Sequence, residues 1–121
     1  MKLFWQKNKE VRPWGKFETL STSPVFYIKK ITVSPEKRLS YQSHSQRAEH
    51  WYVISGTGKV ILDEQSLQAK AGDSFDIPIL AKHRIENTDD KMDLIFIEIS
   101  TGSFDENDIV RFEDDFGRMG K

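Results

Sequence analysis

Apolar and polar residues alternate with period two over most of the chain, in short runs that stop at turn residues. Successive side chains of a strand leave opposite faces, so this pattern marks half-buried strands rather than helices. Phe26 to Val33 reads as a strand and stops at Ser34-Pro35. Leu39 to His44 and His50 to Ser55 follow, the latter closed by Gly56-Thr57-Gly58. Lys59 to Leu62 is next, and Asp63-Glu64 makes a tight turn into Ser66 to Ala69. Ala71-Gly72-Asp73 turns into Ser74 to Ile77, and His83 to Asn87 and Met92 to Ile99 complete the set. Many short strands separated by Gly and Pro predict an all-β sandwich or barrel. One short helical segment is expected, Glu106 to Phe112, with Asp105 as its N-cap. The tail Gly117 to Lys121 is expected to fray.

Composition narrows the class. The 121 residues predict a single domain, 1–121, and show no linker, long-period repeat or low-complexity tract. A chain of this size buries roughly two-thirds of its unfolded surface, enough for a core without staples. With 18 basic and 19 acidic residues there is no charge excess to attract nucleic acid or an anionic membrane. The absence of cysteine excludes a disulfide framework and thiolate ligands, and is compatible with a reducing compartment. The apolar patch Leu3-Phe4-Trp5 is too short for a signal segment or a membrane span. A soluble, cytoplasmic protein is expected.

Two segments carry candidate chemistry. Gln42 and His44 are two apart, so on a strand both leave one face. Glu49 follows five residues later, with room for a turn and a return strand, and His83 comes from a separate strand. One amide oxygen, two imidazoles and one carboxylate could then converge on a divalent metal of the Zn, Mn, Fe, Co or Ni type. Glu49 shares its face with Trp51 and Val53, where a buried carboxylate needs a partner, and a metal supplies one. His83 shares its face with Ile85 and Asn87, whereas His50 faces away. A hydrogen-bonded polar cluster is the alternative.

At these positions the chain resembles the cupin superfamily. The first cupin motif reads Gln42, His44, Glu49 and Gly56, with Gln in place of the first His and Glu36 near the usual leading Gly. The second reads Gly72, Pro78, His83 and Asn87, with Leu80 where Gly is usual. The segments Arg12-Pro13-Trp14-Gly15, Arg38 to His44, Arg47 to Trp51, Asp108 to Asp114 and Gly117-Arg118 look like type II mannose-6-phosphate isomerase. That family uses Gln as its first ligand and commonly carries Gln where this chain has Ser100. Its domain often forms the C-terminal part of a bifunctional enzyme with mannose-1-phosphate guanylyltransferase, a half for which these 121 residues leave no room.

The resemblance implies a cupin-type double-stranded β-helix, or jelly roll. It implies interconversion of mannose 6-phosphate and fructose 6-phosphate, a step toward GDP-mannose, through a cis-enediol(ate). The implied cofactor is one divalent metal ion on Gln42, His44, Glu49 and His83, Zn first, with Co, Mn, Ni, Fe or Mg as others. Glu98 lies on the face of Leu94 and Phe96 and is the candidate proton carrier if that face is inward. Lys29, on the face of Ile31 and Val33, is a candidate phosphate clamp or base, with a snorkelling surface lysine as the alternative. Arg111, Arg118 and Arg47 are the candidates for holding phosphate, against ordinary salt bridging with Glu113, Asp114 and Asp115. Trp14 and Gly15 are expected to be structural. Apolar residues on both faces of Leu94 to Ile99 suggest a homodimer. A non-catalytic cupin that binds a sugar or sugar phosphate and a cupin dioxygenase are the competing readings, since the fold alone does not decide chemistry. The Gln ligand and the C-terminal arginines disfavour the dioxygenase.

Overall fold

The computed structural model describes residues 8–103, 105 and 107–118. The Leu3-Phe4-Trp5 patch, Glu106 and the tail beyond Arg118 lie outside these. Among the described residues, eleven strands form two antiparallel sheets. They are β1 (Asn8–Arg12), β2 (Gly15–Ser23), β3 (Phe26–Val33), β4 (Tyr41–Ser43), β5 (Arg47–Ser55) and β6 (Thr57–Leu62). The remainder are β7 (Gln65–Lys70), β8 (Ser74–Ile77), β9 (His83–Asn87), β10 (Leu94–Gly102) and β11 (Val110–Glu113). The six-stranded sheet has the order β1-β2-β3-β10-β5-β8 and the five-stranded sheet the order β11-β4-β9-β6-β7. Every strand inferred from alternation is present, with β3, β8 and β9 at the inferred boundaries. No helix long and apolar enough to cross a membrane occurs among the described residues.

The expected C-terminal helix does not occur among the described residues. Val110 to Phe112 belong to β11, which pairs with β4 through Val110↔Ser43 and Arg111↔Gln42. Asp105 does accept the Asn107 amide at 2.9 Å, the bond an N-cap would make, but it closes a turn instead. Strands β1 and β2 were not anticipated as such. β2 has no fully buried position, so alternation leaves little trace of it.

The two inner faces enclose the core. Val33, Trp51, Val53, Val60, Ile77, Ile85, Leu94 and Phe96 are buried together, with Trp51 and Phe96 in tilted ring contact at 5.0 Å. Asp63 and Glu64 both have positive φ and join β6 to β7 as a two-residue hairpin with Leu62 opposite Gln65. Glu36 and Leu80 also have positive φ, 61° and 71°. Both stand at or near positions where the cupin motifs carry Gly, the residue that adopts this conformation without steric cost. Trp14 is buried in the core, and a Cβ on Gly15 would lie 2.0 Å from the Thr32 carbonyl oxygen. Gly15 thus lets β2 begin hard against β3. Asn87 closes the loop to β10, donating to Val33 O at 3.0 Å and Met92 O at 2.8 Å.

Candidate functional site

Strand register lines up the polar inward positions. In the six-stranded sheet Glu98 of β10 stands between Lys29 of β3 and Trp51 of β5. Two residues on, Ser100 stands between Tyr27 and Glu49. In the other sheet Gln42 of β4 stands between Arg111 of β11 and His83 of β9. All of these except Ser100 line one cavity of about 170 Å³, together with His44, Arg47 and Arg118. The open question about the face of Glu98 is thereby answered, since its side chain is buried on the face of Leu94, Phe96 and Ser100.

His44, Glu49 and His83 are all buried and form a cluster whose donor atoms lie within 4.8 Å of one another. Glu49 Oε2 is 3.3 Å from His44 Nε2, and Oε1 is 3.9 Å from His83 Nε2. Ligands bound at about 2.0–2.2 Å from one cation stand roughly this far apart. The other ring nitrogen of each histidine is committed: Nδ1 of His44 lies 2.7 Å from Asp108 O, and Nδ1 of His83 lies 2.8 Å from Ala81 O. A carbonyl only accepts, so each Nδ1 carries the proton and each Nε2 turns a lone pair toward Glu49. That is the orientation metal-binding imidazoles are held in. Trp51 Nε1 donates to Glu49 Oε1 at 2.9 Å and fixes the carboxylate. The Gln42 amide nitrogen donates to Ser40 Oγ at 2.8 Å, which leaves its oxygen as the atom to present to a cation. These residues fit a divalent metal. His50 stands outside, 2.6 Å from Asp76 on the opposite face.

Burial sets the protonation states. Desolvation, reinforced by the Arg47 charge, lowers the His44 pKa to about 4. Desolvation also lowers that of His83. Both rings are therefore neutral at pH 7, the form that binds metal. Glu98 moves the other way: desolvation, with the Glu49 charge adding to it, raises it from 4.5 to about 7. Desolvation lowers the Lys29 pKa. The Lys29 ammonium lies 4.3 Å above the Phe17 ring and 4.4 Å above the Tyr27 ring, so it faces inward rather than snorkelling out.

The arginines differ. Arg118 is bound through Nε and Nη2 to the Asp114 carboxylate at 2.8 and 3.1 Å, although it lines the cavity. Arg47 reaches His44 Nε2 at 3.2 Å and Glu49 Oε2 at 3.4 Å. Arg111 has a buried Nε with no hydrogen-bond partner, and no carboxylate pairs with it among the described residues. Desolvation and the nearby Arg118 charge lower its pKa. A half-buried guanidinium in that state is poised for an anion.

Several site residues were not singled out from the sequence. Asp108 holds the loop after His44, accepting from the Ser45 amide, the Ser45 hydroxyl and the Gln46 amide at 2.9, 2.6 and 2.8 Å. It opens the signature segment that contains Arg111, which was the available signal. Tyr27, buried beside Glu98, shares the Lys29 face by simple alternation. Ser100, already apparent in the sequence as standing where Gln is usual, is buried and lies 3.5 Å from Glu98 Oε2. Arg12 lines the cavity while its Nη2 bonds Glu10 at 2.8 Å.

Two antiparallel sheets rolled into a barrel, with a His/Glu cluster inside, define a cupin. A solved RmlC-like cupin from Shewanella frigidimarina superposes with a TM-score of 0.74 at 21% identity, over 88% of this chain and 93% of that one. The family described as "Mannose-6-phosphate isomerase C-terminal" matches residues 2–114, and the chain belongs to that family. Xanthan biosynthesis protein XanB of Xanthomonas campestris is 44% identical over 115 residues, 94% of this chain and 24% of XanB. The mannose-1-phosphate guanylyltransferase of Escherichia coli K12 is 42% identical over 109 residues, 89% of this chain and 23% of that protein. The chain therefore spans about a quarter of the length of these relatives.

Proposed function

We propose that this domain interconverts mannose 6-phosphate and fructose 6-phosphate. One observation carries the reading. A single cavity joins a metal-capable donor set, a buried carboxyl whose pKa is raised toward neutrality, and an arginine with no carboxylate partner among the described residues. Aldose–ketose isomerisation needs these three parts: stabilisation of oxyanion charge, a proton carrier, and a grip on phosphate.

Arg111 binds the phosphate, with Arg118 and Arg47 at the same cavity. Glu98 takes the proton from carbon two. The C–H electron pair forms the C1–C2 double bond, and the carbonyl pair moves to oxygen one. The resulting cis-enediol(ate) collapses to the ketone as Glu98 returns the proton to carbon one. Lys29, beside Glu98 and with its pKa lowered, is placed to move the hydroxyl proton between oxygens two and one. A divalent cation on Gln42, His44, Glu49 and His83 would supply Lewis-acid stabilisation, and with one carboxylate among four ligands the site keeps net positive charge. Zinc suits this N/O set best, ahead of Co, Mn, Ni, Fe or Mg.

The outer face of the six-stranded sheet exposes Tyr52, Ile54 and Ile99, and we assign it to pairing of two copies. A cytoplasmic setting fits the lack of cysteine. The test is incubation of metal-loaded protein with mannose 6-phosphate while fructose 6-phosphate is followed. No turnover with any of Zn, Co, Mn, Ni or Mg would sink the isomerase reading. Binding without turnover would make the domain a sugar-phosphate-binding module instead.

A further inference from the structure

Arg47 touches two of the atoms that a metal would need. Its Nη2 lies 3.2 Å from His44 Nε2, and its Nε lies 3.4 Å from Glu49 Oε2. The two contacts are not equivalent. A carboxylate oxygen has two lone pairs and can serve a guanidinium and a cation together. An imidazole Nε2 has one. The proton of His44 sits on Nδ1, facing Asp108 O, so the Nε2 lone pair is the acceptor for Arg47. One lone pair cannot accept that hydrogen bond and coordinate a cation at once.

Arg47 also lines a second cavity that shares a wall with the first. There its neighbours include Arg12, Lys29 and Arg111, and its guanidinium carbon lies 5.6 Å from the centre of the Tyr27 ring. A guanidinium leaving His44 has this space to enter. It would arrive beside Arg111, where more positive charge is favourable only with an anion present.

We propose that Arg47 is a tethered competitor for the metal: a divalent cation displaces it from His44 and Glu49, and the freed guanidinium joins Arg111 in holding a phosphate. Metal binding and phosphate binding are then coupled through one side chain. The coupling is reciprocal, each ligand raising the affinity for the other. This inference rests on the metal-dependent isomerase reading above.

The experiment measures the dissociation constant for Zn²⁺ by competition with a chromophoric chelator, in the wild type, Arg47→Met and Arg111→Met. Circular dichroism checks that each variant is folded, and Arg47→Gln replaces Arg47→Met if that variant is not. Loss of a hydrogen bond from a charged donor corresponds to about a tenfold to hundredfold tightening of Zn²⁺ binding in Arg47→Met. Arg111→Met removes a charge from the same cavity without touching a donor atom, and should tighten Zn²⁺ binding far less. Glycerol 2-phosphate, a simple phosphate monoester, should tighten Zn²⁺ binding in the wild type and do so less in Arg47→Met. Equal Zn²⁺ affinity in the wild type and Arg47→Met overturns the competition and leaves the metal site standing. Equal tightening in Arg47→Met and Arg111→Met also overturns it, because general charge then accounts for the effect. An undiminished phosphate effect in Arg47→Met overturns the coupling. Absence of Zn²⁺ binding in all three overturns the metal reading itself, and the inference with it.

Discussion

Replacing Glu98 by Gln separates a catalytic carboxyl from a structural one, because the two roles predict opposite balances of stability and activity. Glu98 is buried, and desolvation with the Glu49 charge raises its pKa from 4.5 to about 7. The folded state therefore holds this proton more tightly than the unfolded chain does. Between about pH 4.5 and 7 the native protein binds more protons at this site, so stability falls as pH rises through that window. Below it both states are protonated and the site costs nothing. Above it the full cost is present, about 3 kcal/mol at about 1.4 kcal/mol per pH unit. Gln keeps the shape of the neutral carboxyl and never ionises. In chelator-treated protein, Glu98→Gln should match the wild type near pH 4 and exceed it by about 3 kcal/mol at pH 8. For a domain of this size that is roughly 10 °C in Tm. The same variant, metal-loaded, should lose about 10²–10⁴-fold in kcat, the usual contribution of a positioned proton carrier. Paired urea melts across pH and a coupled fructose 6-phosphate assay read both quantities. Equal stability at pH 8 would refute the burial argument, and unchanged kcat would remove Glu98 from the chemistry.

Three other perturbations address the remaining parts. His44→Ala and His83→Ala should each abolish stoichiometric metal binding, measured by elemental analysis after dialysis, and full metal content in both would show the site to be misplaced. Arg111→Ala should raise KM for the phosphorylated sugar by about 10–100-fold, the value of a charge-assisted phosphate contact. Its thermal stability should change little, because no ion pair among the described residues is lost; an unchanged KM would return Arg111 to a structural role. Leu80→Gly should stabilise the fold by up to about 1 kcal/mol, since Leu80 is 66% exposed and sits at φ 71°. Leu80→Val should destabilise it, and a reversed order in urea melts would show the turn to be unstrained.

Strand existence was legible wherever one face is buried and the other is wet. β3, β8 and β9 were recoverable to the residue because their inward positions are apolar or are the very polar groups the site needs. The failures have a common origin. β2 lies near the sheet edge and half-buries nearly everything, so polar and apolar positions do not separate. β11 spends its inward position on Arg111, so the period-two signal vanishes and Asp105 mimics a helix cap. The site divides in the same way. Gln42, His44, Glu49 and His83 were visible as a spacing, because two of them share a strand face and the others sit on faces otherwise apolar. The contacts that give them meaning were not visible. Asp108 on His44 is a tertiary contact across 64 residues. Trp51 on Glu49 and Arg47 on His44 are local, two and three residues apart, but depend on side-chain rotamers that alternation does not specify.

The placement of these groups on different kinds of strand has a mechanical consequence. Glu98 and Lys29 stand side by side on β10 and β3, and β10 is paired along its length on both sides, with β3 and β5. A one-residue slip there would turn Ile97 or Ile99 into the cavity and expel the carboxyl, along with Leu94 and Phe96 from the core. Such a strand opens only with much of the fold. The metal-capable set spans the two sheets, with Gln42, His44 and His83 from the five-stranded side and Glu49 from the six-stranded side. It therefore depends on the sheets remaining packed, and a cation bound there would in turn hold them together. Arg111 stands on β11, an edge strand of four residues paired only with β4. It lies outside the Trp51–Phe96 core cluster, and β11 is tied to buried groups through Glu113 on Arg84 at 2.9 Å and Phe112 against Tyr41. On the proposed reading, the proton carrier is held by the central sheet and the phosphate grip sits on a short edge strand. That division suits a substrate whose carbons one and two must be held rigidly while its carbon-six phosphate accommodates both the aldose and the ketose.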